Sequence, residues 1–242
     1  MSAAAVRVAD AVKTYGEGTA TVIALDGVTA SFAEGQFTAI MGPSGSGKST
    51  LLHCLAGLDD LDSGTVHLGD VDLGSLSDKD LTILRREQVG FVFQAFNLVG
   101  TLTAKENILL PLSIAGEKPD ADWYEHVVET VGLGDRLTHR PSELSGGQQQ
   151  RVAAARALVT RPRIVFADEP SGNLDSKSGA ELLEFMRRAV DEFNQTIVMV
   201  THDPFAASHA DRVIFLDDGK VVEELADPDV DSVLATMRRL GE

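Results

Sequence analysis

Apolar residues along this chain follow two rhythms. Short β-branched runs bounded by glycine and aspartate predict strands at "VRVADAVKTY" (6–15), "VTASFA" (28–33), "QFTAIM" (36–41), "GTVHLGDVDL" (64–73) and "VGFVFQ" (89–94). Later strands are predicted at "RIVFAD" (163–168), "TIVMVTH" (196–202) and "RVIFLDDGKVVEEL" (212–225). A helix is predicted from about Lys48 to Gly57. Between Gln94 and about Pro162 the strand rhythm nearly vanishes, and "TAKENILLPL", "DADWYEHVVETVG" and "GGQQQRVAAARALVT" carry helical spacing or composition. The first strands are separated by turn signals, Gly16-Glu17-Gly18 and Ala33-Glu34-Gly35, which predicts an antiparallel layer. The later alternation predicts a mostly parallel sheet with crossover helices. The expected organisation is one α/β domain over residues 1–242. Its core is 1–93 and 163–226 with the antiparallel β layer at its N-terminal end, 94–162 is an inserted α-helical subdomain, and 227–242 is a terminal helix. There is no internal repeat and no low-complexity linker.

Composition changes that picture only by exclusion. With 242 residues, 43% hydrophobic, the chain can bury a sizeable core without staples. A formal charge of −16 argues against a nucleic-acid partner, which needs a basic footprint, and against adhesion to an anionic membrane through charge. No basic run exceeds an Arg-Arg pair. The single cysteine, Cys54, forbids an intrachain disulfide and fits a cytoplasmic home; on an apolar helix it is expected to be a small core residue. The N-terminus has no charged segment followed by a long apolar one, so no signal peptide is expected. The longest uncharged run, Gln88 to Ala104, is broken by Gln94, Asn97, glycine and threonine, so no spanning helix is expected and the chain reads as soluble.

Chemistry concentrates in a few stretches. Gly42-Pro43-Ser44-Gly45-Ser46-Gly47-Lys48-Ser49, with Thr50 next, fits G-x-x-x-x-G-K-[ST] between an apolar strand and a helix, the context a phosphate loop requires. Its glycines let backbone N–H groups turn toward phosphates, and the helix N-terminus favours their charge. Lys48 would reach the β- and γ-phosphates of a nucleotide and Ser49 would ligate Mg²⁺. "IVFADEP" places Asp168 and Glu169 at a strand end, where Asp168 would hold Mg²⁺ and Glu169 would polarise the attacking water. His202 leaves the strand "VMVTH". Together with Lys48 and Asp168-Glu169 it would converge on one edge of a parallel sheet, where ligands bind in open α/β folds. Gln94 closes "VGFVFQ" in the same manner; its amide would approach the metal and orient water, or be a hydrogen-bonded structural amide. Tyr15 reads either as a nucleobase-stacking ring or as packing. "LSGGQQQRVAAARAL" (144–158) opens a helix behind two glycines, a second place to hold an anion in a chain that already has one.

The ordered set Gly42–Thr50, Gln94, Leu144-Ser145-Gly146-Gly147-Gln148, Ile164–Glu169, Ser171–Asp175 and His202 resembles the motif set of ATP-binding cassette ATPases, over about Val6 to Glu224. The resemblance implies a P-loop nucleoside triphosphatase core and hydrolysis of ATP to ADP and phosphate. It also implies a head-to-tail homodimer with two ATP–Mg²⁺ between the subunits. The phosphate loop, the Walker A motif, would hold ATP from one subunit, while Ser145, Gly146 and Gly147 with Gln148 would cap the γ-phosphate from the other. By the same resemblance Tyr15 stacks on adenine, Gln94 senses Mg²⁺, Glu169 is the catalytic base, His202 contacts the γ-phosphate, and Asp175 lies at the dimer seam.

A narrower resemblance is to the group of lipoprotein-releasing ATPases, macrolide exporters and the cell-division ATPase FtsE. Its cues are "YGEGTATVIALDGVTASFAEGQFTAIMGPSGSGKSTLLHCLAGL", "RREQVGFVFQAFNLVGTLTAKENILLPL" and "SGNLD". It implies a permease partner of the FtsX/MacB type, held at the inner face of the membrane, with "FNLVGTLTAKENILLPL" either docking it or packing internally. Export, mechanotransmission and FtsE-like regulation of an envelope process are alternatives within this reading. A non-transport cassette working on nucleic acid or ribosomes is disfavoured. Only Thr50 to Glu143 separates phosphate loop from signature, with no heptad array, and there is one cassette.

Overall fold

Two sheets of different character lie on either side of one short helix in this computed structural model, which describes residues 3–16 and 18–240. The first is antiparallel, ordered β2-β1-β4-β5, from β1 (Ala4–Tyr15), β2 (Val22–Ala33), β4 (Ser63–Leu68) and β5 (Val71–Asp72). The second has the order β10-β9-β3-β8-β7-β6, from β3 (Phe37–Met41), β6 (Val89–Phe93), β7 (Ile164–Asp168), β8 (Thr196–Val200), β9 (Arg212–Asp217) and β10 (Lys220–Ala226). Within it β9, β3, β8, β7 and β6 run parallel, and β10 folds back antiparallel on β9. The α/β expectation with an N-terminal antiparallel layer matches this arrangement.

The period of two along each central strand explains the layering. Phe37, Ala39 and Met41 of β3, Val165 and Ala167 of β7, Ile197 and Met199 of β8, and Val213 and Phe215 of β9 join the core on one face. Their alternates, Ile40, Ile164, Phe166, Val198, Val200, Ile214 and Leu216, join the other. A strand apolar on both faces can only be central and covered twice. One cover is α1 (Lys48–Leu55) and the antiparallel sheet, which contribute Leu51, Leu52, Leu55, Val6, Leu25 and Phe32. The other is helical: α5 (Gly146–Leu158) and α6 (Ser176–Phe193) supply Val152, Ala155, Leu182, Phe185 and Met186.

Among the described residues no strand lies between Phe93 and Ile164. That segment holds α3 (Ala104–Ala115), α4 (Ala121–Thr130), a 3-10 turn at Pro141–Glu143, and α5. Thr103 and Glu106 form a capping box that starts α3, and Gly116 ends it at φ 71°. The fully buried Asn107 donates to the Val99, Leu102 and Thr103 carbonyls and accepts from the Val99 N–H, pinning the loop before α3. Trp123 of α4 donates to the Leu158 carbonyl at 3.1 Å and meets Phe193 edge-on at 4.9 Å, fastening α4 to α5 and α6.

Several boundaries differ from the sequence reading. β2 begins at Val22, six residues before "VTASFA", because it pairs along β1 as far as Tyr15↔Val22. The stretch 64–73 is a hairpin of two strands rather than one, and 212–225 is the β9–β10 hairpin. α2 (Asp78–Gln88), α6 and the short α7 (Pro204–Ala207) are helices beyond those the sequence predicts. α6 is nonetheless spaced as a helix, with Leu182, Leu183, Phe185, Met186, Ala189 and Val190 buried on one face. The terminal helix, α8 (Val230–Leu240), is present and buries Val233 and Thr236.

Candidate active site

β3 carries the chain into the buried edge of the sheet, and glycine then makes the turn geometrically feasible. Gly42 has φ 148°, and a Cβ there would sit 1.9 Å from the Leu216 carbonyl oxygen. Gly47 has φ 98°, and its Cβ would fall 2.1 Å from the Ala24 carbonyl oxygen. A side chain at either position would therefore have to displace main chain. Pro43, Ser44 and Gly45 form the exposed rim of the loop. Ser46 is 3% exposed, with a hydroxyl that has no hydrogen-bond partner. α1 starts at Lys48, so its unpaired N–H groups and positive end face the loop's concavity. Lys48 Nζ donates to the Gly42 and Pro43 carbonyls at 3.0 and 2.7 Å. Burial lowers the Lys48 pKa, opposed by the carboxylates of Glu169 and Asp168.

The parallel register brings the other strand ends beside this loop. Ile40 pairs with Val200, Val200 with Asp168, and Asp168 with Phe93. The phosphate loop, His202, Asp168-Glu169 and Gln94 therefore leave four neighbouring strands in a row, with β8 between β3 and β7. Ser49 Oγ donates to Asp168 Oδ1 at 3.1 Å. His202 Nδ1 lies 2.9 Å from Glu169 Oε1. Glu169 is held at φ 47°, a left-handed conformation uncommon for a non-glycine residue, and its N–H donates to the Val200 carbonyl at 3.0 Å. His53, four residues after Ser49 on α1, places Nε2 3.9 Å from Asp168 Oδ2. That i,i+4 spacing from Ser49 is the one signal for it in the sequence.

Tyr15 ends β1 next to the loop. Its hydroxyl donates to Asp59 at 2.5 Å, Lys13 Nζ meets Asp59 at 2.6 Å, and Lys13 Nζ also lies 5.2 Å from the ring centroid. Burial, then the bond to Asp59, pushes the Tyr15 phenol up, with the Thr50 hydroxyl opposing. Burial alone would raise Asp59 as well, but hydrogen bonds from Lys13 and Tyr15 outweigh it and hold the carboxyl below its ordinary value. Tyr15 is 42% exposed, and Val22 and Ile23 beside it are 62% and 56% exposed. Because Ala24 packs against Gly47, this apolar hairpin tip stands at the rim of the phosphate loop. Lys13, Asp59, Val22 and Ile23 were not singled out in the sequence. Only outward-facing β-branched residues beside a tyrosine hinted at them.

The second glycine pair is built differently. Ser145 caps α5: its hydroxyl accepts from the Gln148 N–H, and its own N–H donates to the Gln148 side chain at 2.9 Å. A Cβ on Gly147 would lie 2.6 Å from Ser178 Oγ, so that glycine lets α5 approach the start of α6. Gly146 has only ordinary contacts, the nearest Phe96 at 3.6 Å. Asp175 caps α6, accepting from Lys177 N, Ser178 N and Ser178 Oγ, and the Ser178 bonds hold its carboxyl below the ordinary value. Among the described residues no hydrogen bond joins Ser145–Gln148 to Gly42–Thr50. Gln150, fully buried on α5, was read in the sequence only as part of the run after the signature. Its Nε2 donates to the Phe93 carbonyl at 3.0 Å and the Pro170 carbonyl at 2.6 Å, linking α5 to the main chain beside Gln94 and Glu169.

Four adjacent strand ends around a glycine cradle define a P-loop nucleoside triphosphatase. The ABC transporter family matches residues 25–172. The lipoprotein-releasing system ATP-binding protein LolD of Legionella pneumophila (strain Lens) is 46% identical, covering 86% of this chain and 93% of that protein. The macrolide export ATP-binding/permease protein MacB of Bdellovibrio bacteriovorus is 44% identical over 86% of this chain, which spans 32% of that longer protein. Among solved structures, the dimeric post-hydrolysis state of the Methanocaldococcus jannaschii ATP-binding cassette MJ0796, bound to ADP and Pi, superposes with a TM-score of 0.82. It is 40% identical and covers 93% of this chain and 99% of that one. This chain belongs to the ABC transporter family and is one of its ATP-hydrolysing, ATP-binding subunits.

Proposed function

We propose that two copies of this chain close around two ATP molecules and drive a membrane permease of the FtsX/MacB type in export or transmembrane mechanotransmission. The observation that carries the reading is the division of the two glycine cradles. Gly42–Thr50 is surrounded by Asp168, Glu169, His202 and Gln94, whereas Ser145–Gly147 opens at a separate helix start, and among the described residues no hydrogen bond joins it to Gly42–Thr50. A second copy placed head to tail would bring the two together. LolD and MacB, which this chain resembles over most of its length, support the permease partner, and the dimeric MJ0796 cassette supports the pairing.

In this reading Tyr15 receives the adenine, and the loop N–H groups, Lys48 and Ser46 receive the phosphates. Asp175 sits at the seam. Among the described residues no three His, Cys, Asp or Glu side chains form a metal cage. The Ser49 and Asp168 oxygens, 3.1 Å apart, with the Gln94 amide oxygen, are the hard donors that Mg²⁺ takes together with substrate phosphates. Mg²⁺ supplies charge neutralisation at the β- and γ-phosphates. Glu169 accepts a proton from the attacking water as the new oxygen–phosphorus bond forms and the bond to ADP breaks. His202, held against Glu169, orients that carboxylate and faces the γ-phosphate. Residues 94–162 act as a unit against the core formed by 1–93 and 163–226, with 227–242 as a terminal helix, and "FNLVGTLTAKENILLPL" receives the permease. The work is done at the cytoplasmic face of the membrane. No helix among the described residues is long and apolar enough to cross it.

The test is the solution mass of Glu169→Gln protein with ATP and Mg²⁺, compared with ADP. Losing the base should slow turnover about 10²–10⁴-fold and let the closed pair accumulate, doubling the mass with ATP alone. A monomer in both nucleotides, with ATP demonstrably bound, would refute a pair formed by ATP alone.

A further inference from the structure

We propose that Asn173 is a positioning residue that fixes which end of the Gln94 amide faces the catalytic centre. Asn173 Nδ2 donates to the main-chain carbonyl of Gln94 at 3.0 Å. Gln94 Nε2 donates back to Asn173 Oδ1 at 3.3 Å. The directions of these bonds are forced, not interchangeable. A main-chain carbonyl only accepts, so the nitrogen of the Asn173 amide must face it. That turns Asn173 Oδ1 toward the side chain of Gln94, and Oδ1 only accepts, so Gln94 must present its nitrogen there. The Gln94 oxygen is thereby left on the opposite side, free to meet a cation or the hydrogen of a water. An amide without such a partner is free to turn over or to swing off the site, so fewer molecules present the oxygen there.

The placement of Gln94 makes that choice matter. Phe93 pairs with Asp168 across β6 and β7, so Gln94 lies beside Glu169 at the strand ends. A Cβ on Gly172 would fall 2.7 Å from Gln94 Nε2 and 3.3 Å from the Glu169 carbonyl oxygen, so the absence of a side chain there leaves room for the amide as it is placed. Two successive turns build the clasp: Gly172 N donates to the Glu169 carbonyl and Leu174 N to the Ser171 carbonyl, both at 3.0 Å. One seven-residue loop, Glu169 to Asp175, thus carries the carboxylate opposite His202, the glycine beneath Gln94, the asparagine that orients it, and the aspartate that caps α6. Movement of Asp175 would reach Gln94 through Asn173, two residues away.

The inference rests on the proposed role of Gln94 in the site, and a double-mutant cycle separates the two. Steady-state ATP hydrolysis by the purified chain would be measured for Asn173→Ala, Gln94→Ala and the double variant, with melting temperatures alongside. Asn173 is exposed, so the fold should survive its replacement. Asn173→Ala should lower kcat about three- to tenfold, the worth of one or two such hydrogen bonds, with KM within about twofold. In the Gln94→Ala background the same replacement should have no further effect. Asn173→Asp keeps the shape but cannot donate to the Gln94 carbonyl, so it should be no better than alanine. Independent, multiplicative losses, or a wild-type rate in Asn173→Asp, would overturn the positioning role. A wild-type rate in Gln94→Ala would overturn the placement of Gln94 itself, and this inference with it.

Discussion

Gln150→Leu sets two effects of opposite sign against each other. The native amide is fully buried and donates to the Phe93 and Pro170 carbonyls, while its Oε1 has no partner. Leucine of similar volume removes both donated bonds and also removes the orphan acceptor. Each buried group left without its partner costs about 1–3 kcal/mol, and relief of the orphan returns about the same once. Two losses against one gain leave a net destabilisation of about 1–3 kcal/mol, with packing differences of under about 1.5 kcal/mol. For a chain of this size that is a fall in Tm of about 2–12 °C. Gln150→Glu should be worse than leucine, because it turns a carboxyl toward two carbonyl oxygens in a dry site. Urea unfolding and calorimetry would establish the order wild type, leucine, glutamate. ATP turnover should fall along the same order, since the two carbonyls belong to the chain beside Gln94 and Glu169. Leucine at or above wild-type stability would show that the orphan oxygen outweighs the two donated bonds, and would remove Gln150 as a tie between α5 and the catalytic loops.

Three further outcomes follow from the geometry. Gly42→Ala should lose ATP binding and destabilise the sheet edge, because its Cβ would fall 1.9 Å from a main-chain oxygen; nucleotide affinity by titration calorimetry and Tm check this, and unchanged binding would contradict the geometry. Ser145→Arg should abolish hydrolysis while ATP binding by the single chain persists, read by turnover beside equilibrium binding; normal turnover would count heavily against the two-chain site. Burial raises the Cys54 thiol to about 12, so a thiolate-selective reagent at pH 8 should label the native protein far more slowly than the urea-unfolded one. Because the folded value lies above the unfolded one, this thiol's contribution to stability is complete below about pH 9 and is lost as pH rises toward 12.

Local sequence determined a good deal. The rhythm of "FTAIM", "IVFAD" and "TIVMV" marks strands apolar on both faces, and such strands have nowhere to lie but the middle of a covered sheet. The glycine spacing of 42–49 is a statement about backbone angles, which a short stretch dictates by itself. Helix starts at Thr103 and Ser145 are legible for the same reason, since a cap is completed within four residues. α6 was equally periodic, but a serine–glycine start concealed its beginning.

What sequence left open was every contact that joins distant stretches. Nothing in the order of the chain says that β8 lies between β3 and β7, putting His202 beside Glu169. Nor does it say that Asp59, forty-four residues from Tyr15, takes the tyrosine hydroxyl. The roles of Gln150 and Asn173 depend on carbonyls twenty to seventy-nine residues away, and a carbonyl looks the same at every position in a sequence. Periodicity and caps are local, so they can be read from the chain. Which main-chain oxygen an amide reaches is decided only when the strands have chosen their neighbours.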